Sequence, residues 1–233
     1  MKIQKINGKI SNVTDLSPTA KEVTLTLEQP LTFIAGCFVN IFVEDEGETI
    51  RRAFSIASND GTHETFTLAI RRSLEGRLSP LFWEKNMIGT PLSIMGPLGL
   101  NTADKMQSKR IFLFGFGIGV GVVKSLAAHF AAQDDIEQIT IATGSRDDAD
   151  VMYKEYFDAL AQNDPRITVR YVVSAKEGAS VHPTGYIQNH IDDMDFNNAD
   201  VYVCGQEVAC TGLQNKVKEV NPENCNFFVE DFH

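Results

Sequence analysis

An arginine, an aromatic ring and a hydroxyl fall close together in Arg51-Arg52-Ala53-Phe54-Ser55. On an extended strand such a set can hold a phosphate, lie along a planar ring and hydrogen-bond that ring's edge. An amphipathic strand with a surface arginine and a core phenylalanine is the plainer alternative. Further on, Arg71, Arg72 and Arg77 gather in RRSLEGRLS, where Gly76 admits close backbone approach and Ser79 offers a hydroxyl. A pyrophosphate needs such charge: one opposite charge at about 4 Å is worth about 4 kcal/mol at an effective dielectric of about 20. A solvated basic turn has the same composition, so both readings stand. A third run, Gly115-Phe116-Gly117-Ile118-Gly119-Val120-Gly121, lets backbone approach a ligand at a helix start, although it does not match G-x-G-x-x-G. The fourth, Val203-Cys204-Gly205-Gln206, places a cysteine at a strand end, expected to face the same cleft as the glycine run; a buried, inert thiol is its alternative.

Two rhythms of sequence must position these runs. Up to about Met106 the chain alternates apolar and polar residues in short stretches such as EVTLTLE, FVNIFVE, AFSIAS, TFTLAI and PLSIMG. That spacing predicts a small antiparallel barrel, with a helical turn at SPLFWEKN placing Leu81, Phe82 and Trp83 at one barrel end. From about Lys105 the order becomes strand, helix, strand: RIFLFG, VGVVKSLAAHFAAQ, QITIATG, DVMYKEYFDALAQ and ITVRYVVS, then a helix starting at GYIQNHI, then DVYVCG, EVACTGLQNKVKEV and NCNFFVE. Such alternation predicts a parallel sheet with helices on both faces and a ligand at the carboxyl ends of its strands. The expected division is 1–105 and 106–233.

A formal net charge of −10 over 233 residues argues against non-specific nucleic-acid binding, which depends on neutralising phosphates. The amino terminus lacks the apolar region of a signal peptide, and the run from Ile111 to Val123 is too short and glycine-rich to span a bilayer. Cys37, Cys204, Cys210 and Cys225 show neither metal nor iron–sulfur spacing, so reduced thiols in a cytoplasmic protein are expected. No metal is expected, and His63, His129, His182, His190 and His233 are given no role.

Taken in order, these segments resemble the ferredoxin–NADP reductase superfamily, in particular its compact flavin reductase-like and oxygenase reductase-like members. The resemblance covers nearly the whole chain. RAFS, Arg52 to Ser55, is similar to R-x-Y/F-S, in which the arginine binds the flavin phosphate, the aromatic lies along the isoalloxazine and the serine meets its N5 edge. Gly76 to Ser79 resembles G-x-x-S, which holds the FAD pyrophosphate, and MGPLG from Met95 resembles the G-P-x-G turn closing the barrel. Gly117 to Gly121 stands in place of G-T-G-I-T/A beside the nicotinamide. Ser145 and Arg146, followed by Tyr153, are similar to the segment meeting the adenosine ribose. VCGQ resembles V/L-C-G-P, and Phe228 to Phe232 resembles the terminal x-x-E-x-F near the flavin.

The resemblance implies an antiparallel β-barrel that binds FAD followed by a Rossmann-like α/β domain that binds NAD(P)H. It assigns cofactor contacts to Arg52, Ala53, Phe54, Ser55, Ile70, Arg72, Gly76, Arg77, Leu78 and Ser79 on the barrel side. On the nucleotide side it assigns Gly117, Ile118, Gly119, Ser145, Arg146, Cys204, Gly205, Gln206 and the terminal Phe232. Ser55, Cys204 and Glu230 would serve the reaction itself: hydride transfer from NAD(P)H to FAD, then electrons to a separate acceptor, whether a ferredoxin-type protein, an oxygenase or a small molecule. Ile118, Val122 and Gln206 depart from the family's threonine and prolines, all on the nicotinamide side. A free-flavin reductase and a non-catalytic flavin- or nucleotide-binding subunit therefore remain alternatives, and NADH versus NADPH stays open. The length leaves no room for a fused iron–sulfur domain, so such a carrier is expected as a separate partner.

Overall fold

A computed structural model describes residues 1–73, 75–175 and 178–232. Leu74, inside the second basic run, and His233 lie outside the described residues.

Alternation builds the first half. In β2 (Ala20–Phe33), Val23, Leu25 and Leu27 turn inward while the threonines between them stay partly exposed. With β1 (Gln4–Ser17), β3 (Phe38–Asp45), β4 (Glu48–Ser55), β5 (Gly61–Arg71) and β6 (Pro91–Leu98) it forms a six-stranded sheet in the order β4-β3-β6-β1-β2-β5. Neighbouring strands in it run antiparallel. The sheet's two edges meet just past β4, where Ile56 bridges Leu68 and the Ala57 amide donates to the Thr67 carbonyl at 2.8 Å. That contact closes the barrel around a core that includes Ile10, Leu25, Phe33, Ile41, Phe66 and Leu68. A four-residue helix, α1 (Leu81–Glu84), covers one end: Leu81 and Phe82 are buried in this core and Trp83 packs against it.

The second half is a parallel sheet in the order β11-β10-β7-β8-β9. Its strands are β7 (Arg110–Phe116), β8 (Gln138–Ser145), β9 (Ile167–Val173), β10 (Ala199–Gln206) and β11 (Asn226–Phe232). Both faces are covered, as the unbroken apolar run of β7 requires. Ile111 and Leu113 pack with α2 (Val120–Ala131) and with Phe157 of α3 (Lys154–Asn163). Phe112 and Phe114 face the other way, towards Leu213 and Val217 of α4 (Glu207–Glu219). The chain enters at β7, runs out to β9 and returns on the other side of β7 as β10, so the topological switch point lies between β7 and β10.

GYIQNHI departs from expectation: it forms only a 3-10 turn over Ile187–Asn189. Gly185 precedes it at φ 115 and the backbone at Tyr186 and His190 is not helical, so too few residues remain to offset helix nucleation. Ile187 and Ile191 are instead buried individually under the sheet.

Glycines set the closest approaches. An added Cβ at Gly119 would overlap the carbonyl of Cys204, and one at Gly121 would stand 2.7 Å from the Cβ of Ala69 on β5. Polar contacts follow the same seam: Ser125 Oγ donates to the Ser58 carbonyl at 2.7 Å, and Lys124 pairs with Glu22 at 3.1 Å. Gly119→Ala is expected to destabilise the fold by about 1–3 kcal/mol, the usual cost of overpacking, and so to lower Tm in thermal denaturation. An unchanged Tm would show that the turn can move away from β10.

Candidate active site

Arg52, Ala53, Phe54 and Ser55 occupy the end of β4 and line a cleft of about 510 Å³ along the side of the barrel. Its far wall comes from Ile118 and Gly121 of the second half and from Phe232 at the end of β11. The hydroxyl of Ser55, on the cleft wall, donates to Glu230 Oε1 at 2.7 Å, joining β4 to β11. Burial pushes the Glu230 carboxyl above its ordinary value of 4.5, and the Ser55 hydrogen bond opposes that shift without cancelling it.

The basic turn completes the cleft. Gly76 donates its amide to Ser73 Oγ at 3.1 Å, and Ser73 donates its own to Ser79 Oγ at 3.0 Å. Ser73, Gly76 and Ser79 therefore form one compact loop on the cleft wall. Strand alternation sorts the neighbouring residues: Ala69 and Arg71 line the cleft, whereas Ile70 points into the barrel core. Arg72 lies instead over the Trp83 ring, 5.8 Å from its centroid. Arg77 is turned to Glu48 at 2.7 Å, and Leu78 is buried in the core. Arg71 is thus the arginine that the linear spacing did not single out; the period of two from Ala69 was its signal.

A second cleft, about 210 Å³, lies at the carboxyl ends of β7, β8 and β10. Gly117, Ile118, Ser145, Arg146 and Gln206 line it, joined by Tyr186 from the turn after β9. Gly117 adopts φ 53, and the Ser145 hydroxyl donates to the Asp150 carbonyl at 3.0 Å. Arg71 and Ile118 line both clefts, so the two adjoin at a shared wall.

Two residues assigned to this side serve packing. Gly205, at φ 152, has Phe116 so close that a Cβ would meet it at 2.5 Å, and Gly119 abuts Cys204. The Cys204 side chain does not reach either cleft. It is 3% exposed in the core shared with α2, where burial raises its thiol pKa well above the ordinary range and keeps it neutral. Tyr153 also turns away: its hydroxyl donates to Glu22 Oε2 on the barrel at 2.7 Å.

The first cleft fits a flavin dinucleotide. It lies within the usual size of a cofactor site and offers an aromatic, a hydroxyl and a tight serine–glycine loop. Neither Arg52 nor Arg71 has a carboxylate partner among the described residues, so both cations are available to phosphates. Among the described residues no cluster suits a metal ion, and no helix is long and apolar enough to cross a membrane.

Residues 7–102 match the oxidoreductase FAD-binding domain and residues 113–214 the oxidoreductase NAD-binding domain. The chain is 27% identical over 214 residues to the phenol hydroxylase P5 protein of Acinetobacter pittii (strain PHEA-2), covering 88% of this chain and 59% of that protein. It is 26% identical over 214 residues to ferredoxin–NADP reductase B of Sorangium cellulosum (strain So ce56), covering 87% and 86%. The crystal structure of a cytochrome P450 reductase from Amycolatopsis shares the fold with a TM-score of 0.87 at 21% identity, covering 99% of this chain and 70% of that one. With a flavin-binding and a nicotinamide-binding domain side by side over most of its length, the chain belongs to the ferredoxin–NADP reductase-like oxidoreductases.

Proposed function

We propose that the protein is a FAD-containing, NAD(P)H-dependent oxidoreductase that passes electrons from flavin to a separate acceptor. The observation that carries this reading is the meeting of the two clefts at Arg71 and Ile118, beside the Ser55–Glu230 pair. Arg52 and Arg71, with Ser73, Gly76 and Ser79, would hold the phosphates, while Phe54, Ser55 and Phe232 would hold the ring. Bound FAD supplies hydride acceptance and electron release. The chain's task is orientation, bringing two rings to near-attack distance, about 3–3.5 Å.

Proton handling falls to Glu230 and Ser55. The raised pKa of Glu230 favours its protonated form. A protonated Glu230 donates to Ser55 Oγ, and this frees the serine O–H to donate into the cleft. Ser145, Arg146 and Gln206 would receive the nicotinamide nucleotide. Four unpaired cysteines fit a reducing compartment such as the cytoplasm.

Purified protein is expected to show a flavin absorbance spectrum that persists through gel filtration and bleaches anaerobically with NADH or NADPH. Colourless protein that takes up no FAD, or bound flavin that neither nucleotide bleaches, would overturn the reading. Arg52→Ala is expected to weaken FAD retention by about tenfold or more, since hydrogen bonds to charged groups contribute about 1.5–3 kcal/mol. Unchanged affinity would remove the phosphate assignment.

Glu230 also predicts a pH dependence. A carboxyl whose pKa rises on folding contributes stability below its unfolded pKa and loses it as pH rises through the folded value. Glu230→Gln keeps an acceptor for Ser55 without the charge. It should therefore raise Tm at alkaline pH and change it little at pH below the ordinary value of 4.5. A benefit confined to acid would contradict the assignment.

A further inference from the structure

The nucleotide cleft is ordered across the parallel sheet. The ends of β9 and β8 bring Ser174, Ser145 and Arg146 to it, the end of β7 brings Phe116 and Gly117, and the end of β10 brings Gln206. Strands lie about 4.8 Å apart, so the end of β10 stands about 10 Å from that of β8 and about 14 Å from that of β9. On its other side is the flavin cleft: Gln206 lies opposite Phe232 of β11, and Phe232 lines that cleft. Parity directs the side chain. Tyr202 and Cys204 of β10 pack towards α2, and Gln206 continues on that face beyond the point where Gly119 abuts Cys204. There the strand leaves the core, and Gln206 is exposed at the start of α4, its side chain making no capping hydrogen bond. Phe116, Gly117, Ile118 and Ala209, which line the cleft around it, carry no polar side chain. Arg71, at the shared wall, can only donate, and Asp150, on the turn after β8, already accepts from Thr19 at 2.8 Å. Among the described residues lining this end of the cleft, Gln206 is thus the side chain that offers a hydrogen-bond acceptor.

A nicotinamide ring presented to flavin must lie at the wall that the two clefts share, which is the end where Gln206 stands. We propose that Gln206 is a specificity-determining residue, its amide oxygen accepting a hydrogen bond from the NH2 of the nicotinamide carboxamide. The inference rests on the oxidoreductase reading above and gives this chain a contact that the family's proline at this position, having no side-chain acceptor, cannot make. Ile118 fits the same division, since in place of the family's threonine it leaves the neighbouring wall without a hydroxyl. The carboxamide is carried on C3, next to the C4 that gives up the hydride, so a contact there sets where C4 lies relative to the flavin. Gln206 therefore selects for the group at C3 while it positions the ring.

The test uses the whole FAD-loaded protein and two nucleotides: the reduced nicotinamide dinucleotide and its reduced 3-acetylpyridine analogue, in which a methyl ketone replaces the carboxamide and the NH2 is lost. Anaerobic stopped-flow bleaching gives the ratio of reduction rate to Kd for each. The analogue's different reducing power acts on every variant alike, so a change in the preference for carboxamide over acetyl isolates the side chain. Gln206→Leu is expected to lower that preference about tenfold, chiefly by weakening the carboxamide nucleotide, as removal of one hydrogen-bond partner does when the other is left unpaired. Gln206→Glu keeps an acceptor at the same reach and should retain the preference. With the side chain exposed, both variants should keep the wild-type Tm and FAD content. An equal change on both nucleotides in the leucine variant, no change on either, or loss of the preference in the glutamate variant as well overturns the assignment. If neither nucleotide bleaches the wild-type flavin, the oxidoreductase reading falls instead, and calorimetric binding of the two oxidised nucleotides still decides the contact. A carboxamide preference that Gln206→Leu abolishes upholds it, and binding that the substitution leaves unaltered overturns it.

Discussion

The first turn of α2 can lie against the barrel because Gly121 has no side chain. A Cβ there would meet that of Ala69 at 2.7 Å, and larger groups would push the two halves apart. This approach fixes where Ile118 sits, and Ile118 is the residue through which the barrel cleft and the nucleotide cleft share a wall. Neither half makes a complete site alone. The barrel supplies Arg52, Phe54 and Ser55, while Phe232, at the end of the last strand, covers the same cleft.

Charge is distributed to match. Glu22, Asp150 and Asp60 bind Lys124, Thr19 and His129 across the seam, so carboxylates on both halves help to hold them together. Arg52 and Arg71 are left without carboxylate partners among the described residues where phosphates would lie. Glu230 is the exception: a half-buried carboxyl, held by a hydroxyl rather than by a cation, with its proton affinity raised by burial.

Much of this arrangement was legible in the residues. Val23, Leu25 and Leu27 announced a half-buried strand, RIFLFG a strand buried on both faces, and RAFS and the serine–glycine turn came together on one cleft as their types suggested. Other positions were ambiguous because a linear pattern does not specify which side of a strand end faces the ligand. Arg71 and Arg72 are adjacent and chemically alike, yet only the parity set by Ala69 sends Arg71 to the cleft. Cys204 and Tyr153 sit inside segments that border the clefts, but their side chains turn to the α2 core and to Glu22. The Tyr153 contact depends on how the two halves meet and the Cys204 contact on how α2 packs against the sheet, and no local periodicity encodes either.

The central claim is that the two clefts form one reaction site, so that a nucleotide in one delivers hydride directly to flavin held in the other. Anaerobic stopped-flow reduction with nicotinamide nucleotide deuterated at the transferred C4 position tests it most directly. A shared site in which the Ile118 wall leaves a single nicotinamide face open to the flavin predicts a primary isotope effect on flavin bleaching for one of the two C4 stereoisomers only. Bleaching at the same rate with both deuterated isomers, with deuterium lost equally from each, would contradict direct transfer to a nicotinamide held by one face in a shared site.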